Sequence, residues 1–195
     1  LFRCAEAVAG GLDERGIGHG DRVAIMLPTG ESFFRCFFGV LLAGGVPVPI
    51  YPPFRADRVE EYARRQAGIL ENAGARMLIT FREAGALARL LRPLVPTLTS
   101  VVIPQELTRP GTPFVGPDID FDDPALIQYT SGSTGEPKGV LLLHRNLLAN
   151  IRTLGQALKV CPDDVIVSWL PLYHDMGLIG AWLTALYFGI PVVIL

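Results

Sequence analysis

Residues 129–140 read Tyr129-Thr130-Ser131-Gly132-Ser133-Thr134-Gly135-Glu136-Pro137-Lys138-Gly139-Val140, and this stretch decides the fold. Six consecutive residues, 130–135, carry either a hydroxyl or no side chain, and a lysine follows at Lys138. Apolar runs flank the stretch, Ala125-Leu126-Ile127 before it and Val140-Leu141-Leu142-Leu143 after it. We read two buried strands joined by a flexible loop that is dense in N–H and O–H donors and ends in a cation. Such a loop suits a polyanion, and the obvious one is the triphosphate of a nucleotide. The G-x-x-x-x-G-K-S/T order of the common phosphate loop is absent, because Glu136-Pro137 separates Gly135 from Lys138 and Gly139 stands where Ser or Thr belongs. A Ser/Gly linker is the plainer reading, but linkers do not usually sit between apolar strands or end in Pro-Lys-Gly.

Outward from the loop, helix and strand alternate. Helices are expected over 2–15, 31–43, 58–73, 83–94 and from about 146 to 158. Strands are expected over 23–27, 46–50, 76–80, 100–103, 126–129, 140–143 and 165–168. Gly16 and Gly44-Gly45 close the first two helices. Pro47 and Pro49 weaken a ladder, which places strand 46–50 near an edge. Residues 104–123 hold four prolines without a period and read as loop. Phe33, Phe34, Phe37, Phe38 and Leu41 form an apolar stripe at helical spacing, expected to be core. The alternation implies an α/β fold, a mostly parallel sheet with flanking helices.

Composition narrows the classes of function. Half of the residues are hydrophobic and 18% are charged, apolar for a complete domain of 195 residues. The net charge is −2 and the longest basic run is Arg64-Arg65, so nothing recommends nucleic acid as a partner. Cys4, Cys36 and Cys161 are odd in number and widely spaced, which supports neither a disulfide framework nor a metal site; buried reduced thiols in a cytoplasmic protein are the expectation. Residues 176–195 are 20 consecutive uncharged residues, long enough to span a bilayer. Gly189-Ile190-Pro191 breaks that run, so it reads as a buried helix feeding a buried parallel strand, without stable membrane insertion.

The loop matches the pattern Y/F-T-S-G-S/T-T-G-x-P-K-G at nearly every position and so resembles the signature of the adenylate-forming superfamily. A second block, Trp169-Leu170-Pro171-Leu172-Tyr173-His174-Asp175-Met176-Gly177-Leu178-Ile179-Gly180, looks like the fatty acyl-AMP ligase branch, as does Tyr51-Pro52-Pro53-Phe54-Arg55 with Arg58. The resemblance covers the whole chain. It implies that residues 1–195 are an incomplete N-terminal part of the large adenylation domain, cut at both ends, with the small C-terminal domain absent. It implies ATP and Mg²⁺ as cofactors and a fatty acid as substrate. The acceptor would be an acyl carrier protein; the alternatives within the class are an acyl-CoA synthetase, with coenzyme A as acceptor, or an adenylation domain for another acid. A non-catalytic nucleotide-binding module is the reading of a different class. The family often has Ser or Thr where Leu143 stands.

From the same resemblance, Thr130, Ser131, Gly132, Ser133, Thr134 and Gly135 would hold the β- and γ-phosphates, and Lys138 would add positive charge to the leaving pyrophosphate. His174 would orient the carboxylate against the α-phosphate, a task that requires no proton exchange; the alternative is a hydrogen-bonded structural histidine. Asp175 would support the loop, and Glu136 would face solvent. No metal ligand is assigned within the chain. His19 is expected in an exposed loop and His144 in a structural role. Arg55, Arg58, Arg64 and Arg65 are read as a solvated helix face. Trp182, Leu183, Leu186 and Tyr187 are read as core.

Overall fold

A computed structural model describes residues 1–53, 59–108, 114–130 and 137–195. Strands β1 (Arg22–Ile25), β2 (Val46–Pro49), β3 (Met77–Ile79) and β4 (Ser100–Val102) form a parallel sheet in the order β2-β1-β3-β4. The two prolines of β2 sit at the end of that order, as their missing N–H groups require. Helices α1 (Phe2–Asp13) and α2 (Glu31–Leu42) cover one face, while α3 (Val59–Ala73) and α4 (Gly85–Leu91) cover the other. The strands therefore alternate between two cores. Val23 and Ile25 face α2 while Ala24 and Met26 face α3, and β3 divides Met77 and Ile79 from Leu78 in the same way. Strands buried on both faces are apolar at every position.

On α2, Phe33, Phe37 and Val40 recur on one face and are buried. Close approach of α1 requires Gly39, where an added Cβ would overlap the Val8 side chain. Gly44 ends the helix in a left-handed conformation, φ +75°. Trp182, itself buried, packs against this stripe, its ring centroid 4.6 Å from that of Phe34 and 5.5 Å from that of Phe37. These contacts make the Phe stripe and Trp182 core, as expected, whereas Leu186 and Tyr187 are exposed.

Four expectations are corrected. Strands β5 (Pro124–Thr130) and β6 (Lys138–Leu143) pair antiparallel, because seven residues cannot supply a parallel crossover. Only β5 is buried; Val140 and Leu141 on β6 are exposed. The helix expected over 83–94 breaks into 3₁₀ turns at Arg82–Ala84 and Arg92–Leu94 around α4, since Pro93 has no N–H to continue it. Within the expected loop, a short helix α5 (Pro104–Leu107) starts with proline at its first position, where that missing N–H costs nothing.

Helix α6 (His144–Leu158) begins two residues before the expected start, and β7 (Ile166–Ser168) pairs in parallel with β8 (Val192–Ile194). Between them, Met176–Leu183 is a π-helical turn that passes into α7 (Thr184–Phe188), closed by Gly189 at φ +67°. The Thr184 hydroxyl donates to Ile179 O at 2.9 Å inside it. No described helix is long and apolar enough to cross a membrane. The strands β7 and β8 are more exposed than expected, Val167 and Val193 among them. All three cysteines are free, but only Cys36 is buried; Cys161 is exposed. Burial pushes the Cys36 thiol up to about 12.

Candidate functional site

A cavity of about 410 Å³ opens where three segments meet. Pro49, Ile50 and Tyr51 leave β2, Gln128, Tyr129 and Thr130 end β5, and Tyr173, His174 and Asp175 follow β7. Arg65 and Ile69 on α3, with Pro137, complete it. The cavity thus lies at the carboxyl ends of β2 and β5, where open α/β folds expose loop side chains over a rigid sheet.

Each wall is held from behind. The Gln128 side chain, 5% exposed, donates from Nε2 to Tyr173 O at 2.9 Å and fixes the turn that carries His174. The Tyr51 ring sits 5.2 Å from that of Tyr62 and 6.1 Å from that of Tyr173. The Tyr62 hydroxyl donates to Tyr51 O, and burial raises its pKa. The Tyr129 hydroxyl donates to Asn72 Oδ1 at 2.5 Å, tying the end of β5 to α3. Burial also raises Tyr129 and Tyr173, so both phenols stay protonated donors at neutral pH.

His174 Nδ1 lies 2.7 Å from Asp175 Oδ1, and that same oxygen accepts from Met176 N at 2.8 Å. Asp175 therefore caps the π-helical turn and steers the imidazole at once, the supporting role expected of it. With the carboxylate accepting at Nδ1, the Nδ1–H tautomer is favoured and Nε2 is left as the free ring nitrogen. Backbone bonds hold the turn on both sides, His174 N to Pro171 O at 3.1 Å and Leu178 N to His174 O at 2.9 Å. Gly177 is obligatory beneath it, because an added Cβ would overlap Pro171 O.

The structure brings Thr130 and His174 to one cavity. Lys138 does not line it, although its backbone pairs directly with Thr130 across the hairpin and the Thr130 hydroxyl stands 3.5 Å from Lys138 O. Ser131, Gly132, Ser133, Thr134, Gly135 and Glu136 lie outside the described residues, as do Arg55 and Arg58. Two lining residues escaped the sequence reading. Arg65 is exposed on α3, as expected of a solvated helix face, and it also edges the cavity. Gln128 carried a single faint signal, an amide within an apolar strand.

The other histidines sit away from the cavity. His19 is half-exposed, as expected of a loop, but is not free there: its Nε2 bonds Asp123 Oδ2 at 2.9 Å. The His19 bond comes first among the causes that hold the Asp123 carboxyl below its usual range, before the Asp120 amide. Asp123 also accepts His144 N on its carbonyl oxygen at 3.1 Å, which anchors the start of α6. Partial burial lowers the His144 pKa, with Asp123 opposing, in keeping with a structural role.

Thr130, His174 and Arg65 thus border one cavity at the open end of the β5–β6 hairpin. The family model for AMP-binding enzymes matches residues 1–195, and the chain belongs to that family. It is 33% identical over 194 residues to the medium-chain-fatty-acid–acyl-carrier-protein ligase JamA of Moorena producens, covering 96% of this chain and 32% of that protein. A solved structure from a study of fatty acyl-adenylate ligases of E. coli and L. pneumophila superposes with a TM-score of 0.90 at 33% identity, over 98% of this chain and 35% of that one. The L. pneumophila fatty acyl-adenylate ligase, solved in complex with acyl adenylate and pyrophosphate, superposes at 0.78 with 31% identity, over 98% and 32%. The chain spans about a third of the length of the relatives it matches.

Proposed function

We propose that residues 1–195 form the N-terminal part of the large domain of a fatty acyl-AMP ligase. The enzyme uses ATP to convert a fatty acid to acyl-adenylate and pyrophosphate, then passes the acyl group to an acyl carrier protein. A carboxylate oxygen bonds to the α-phosphorus, the bond from that phosphorus to the bridging oxygen breaks, and the electron pair leaves with pyrophosphate. The observation that carries this reading is the meeting of Thr130 and His174 on one cavity at the mouth of the signature hairpin.

Two anions must approach one another in this reaction, so the site must supply positive charge and donors without a competing nucleophile. Thr130 offers a hydroxyl donor, and 131–135 add hydroxyls and backbone amides. Lys138 neutralises phosphate oxygens. His174, held by Asp175, orients the carboxylate and needs no proton exchange, because a carboxylate is already a nucleophile. The donor chemistry fits a triphosphate. For Mg²⁺, no three His, Cys, Asp or Glu side chains gather among the described residues. Asp175, the carboxylate on the cavity, already accepts from His174 and Met176. Mg²⁺ would be carried on the nucleotide's phosphates, the usual mode for that ion, and would supply positive charge there. A cytoplasmic location belongs to the same reading and rests on three free cysteines.

Exchange of labelled pyrophosphate into ATP by the full-length protein tests the reaction. Exchange that depends on a fatty acid is expected, and exchange driven by an amino acid alone would reject the substrate class. With coenzyme A present, accumulation of acyl-adenylate that only holo carrier protein consumes is expected; efficient acyl-CoA formation would move the acceptor to coenzyme A.

A further inference from the structure

A second cavity of about 410 Å³ lies on the far side of the Tyr129–Pro137 wall. Arg64, Arg65 and Asn72 line it from α3, and Arg65, Ile69, Tyr129 and Pro137 are common to both cavities. The two adjoin at these four shared residues, so the second cavity is a trough along α3 beside the first. No carboxylate lines the second cavity among the described residues, and neither arginine is in an ion pair there. Asn72 spends its oxygen on the Tyr129 hydroxyl, so its amide N–H₂ remains to donate.

We propose that this trough, with Arg64, Arg65 and Asn72 as its donors, is a polyphosphate subsite that receives pyrophosphate as it leaves the adenylation site. The inference rests on the adenylation reading and deepens it. Pyrophosphate is a compact polyanion, and a guanidinium fork matches phosphate oxygens two at a time. Lys138 ends on the hairpin and does not line either cavity, whereas Arg65 lines both, so Arg65 is the lining cation that the product meets along this path. A dry hydrocarbon cluster would leave arginines pointing to water from the outer face of α3. Here they line a recess that shares four residues with the cavity of His174.

The test uses full-length protein, with inorganic pyrophosphate as the probe and acyl-adenylate formation trapped with hydroxylamine as the readout. In Arg64→Ala/Arg65→Ala the inhibition constant of pyrophosphate should rise about threefold to tenfold, the range for exposed charge pairs. The melting temperature should stay at the wild-type value. Arg65→Lys should recover part of the effect by returning the charge without the fork. Unchanged pyrophosphate inhibition in an active double variant overturns the subsite and leaves adenylation standing. A raised KM for holo carrier protein with unchanged pyrophosphate inhibition assigns the arginines to an acidic partner and also overturns it. A wild type that forms no acyl-adenylate sinks the parent reading. In that case calorimetric titration with pyrophosphate decides the trough alone, and equal binding by wild type and double variant overturns it.

Discussion

The four-stranded sheet and the β5–β8 region are built from the same kind of apolar strand, but they end in opposite environments. Val23, Ile25, Leu78 and Ile79 are wholly buried between two helical layers. Val140, Leu141, Val167 and Val193 keep roughly half of their surface in water, and Trp169 keeps more. The proposed chemistry sits with the second group, on the exposed His174, Lys138 and the hairpin mouth. Stability therefore resides mainly in the first region and chemistry in the second. Substitutions can be chosen to break this division.

Phe37→Ala empties a fully buried site against Phe33 and Trp182 and should cost about 3–5 kcal/mol in urea unfolding, whereas Val193→Thr should stay within about 0.5 kcal/mol. Equal costs would erase the contrast. Lys138→Ala in the full-length protein should lower acyl-adenylate formation on the order of 10²–10³-fold, by analogy with loss of one electrostatic stabiliser, with an unchanged unfolding midpoint. Near-normal adenylation would remove Lys138 from the site.

Smaller effects probe the junction at the start of α6. Leu143 is its N-cap and has no side-chain oxygen, so Asn146 Oδ1 alone closes the turn by accepting from Leu143 N at 2.9 Å. Leu143→Ser adds the missing acceptor and should stabilise by about 1 kcal/mol. Since folding lowers the His144 pKa, the unfolded chain binds more protons as pH falls through 6.5, and stability drops from there. His144→Gln should flatten that limb of a stability–pH curve. A second drop belongs near and below pH 3.8. Burial acts to raise Asp21, but Arg76, the Gly18 amide and Arg22 together hold it lower, and its contribution is lost as pH falls through its folded value. The Arg76–Asp21 bond measures 2.5 Å.

What the sequence revealed follows from what is local. Strands β1 to β4 are legible because, after Arg22 and Ser100 at the starts of β1 and β4, they are apolar at every position, and the place of β2 at the end of the sheet follows from two missing N–H groups. Thr130, Lys138 and His174 were legible through motif resemblance. The break at Pro93 and the one-turn helix α5 were missed because a few residues carry no period. Met176–Leu183 is apolar almost throughout, so nothing in its pattern separates a π turn from an α turn. The exposure of β6 could not be read, since burial belongs to the neighbour that covers a strand rather than to the strand. Arg65 looked like surface because its cavity is walled by segments far apart in sequence.

The direct pairing of Thr130 with Lys138 makes the seven residues between them a closed noose. The ends are already held at strand spacing, so a polyanion bound between them need not also draw those ends together. Closure entropy grows slowly with length, about 0.6 kcal/mol for each doubling, so the noose tolerates a change in its own size. Register is far less forgiving. A one-residue slip of β6 against β5 would turn the Lys138 side chain to the opposite face of the hairpin. Variation in this loop is therefore thermodynamically cheap in length and costly in phase.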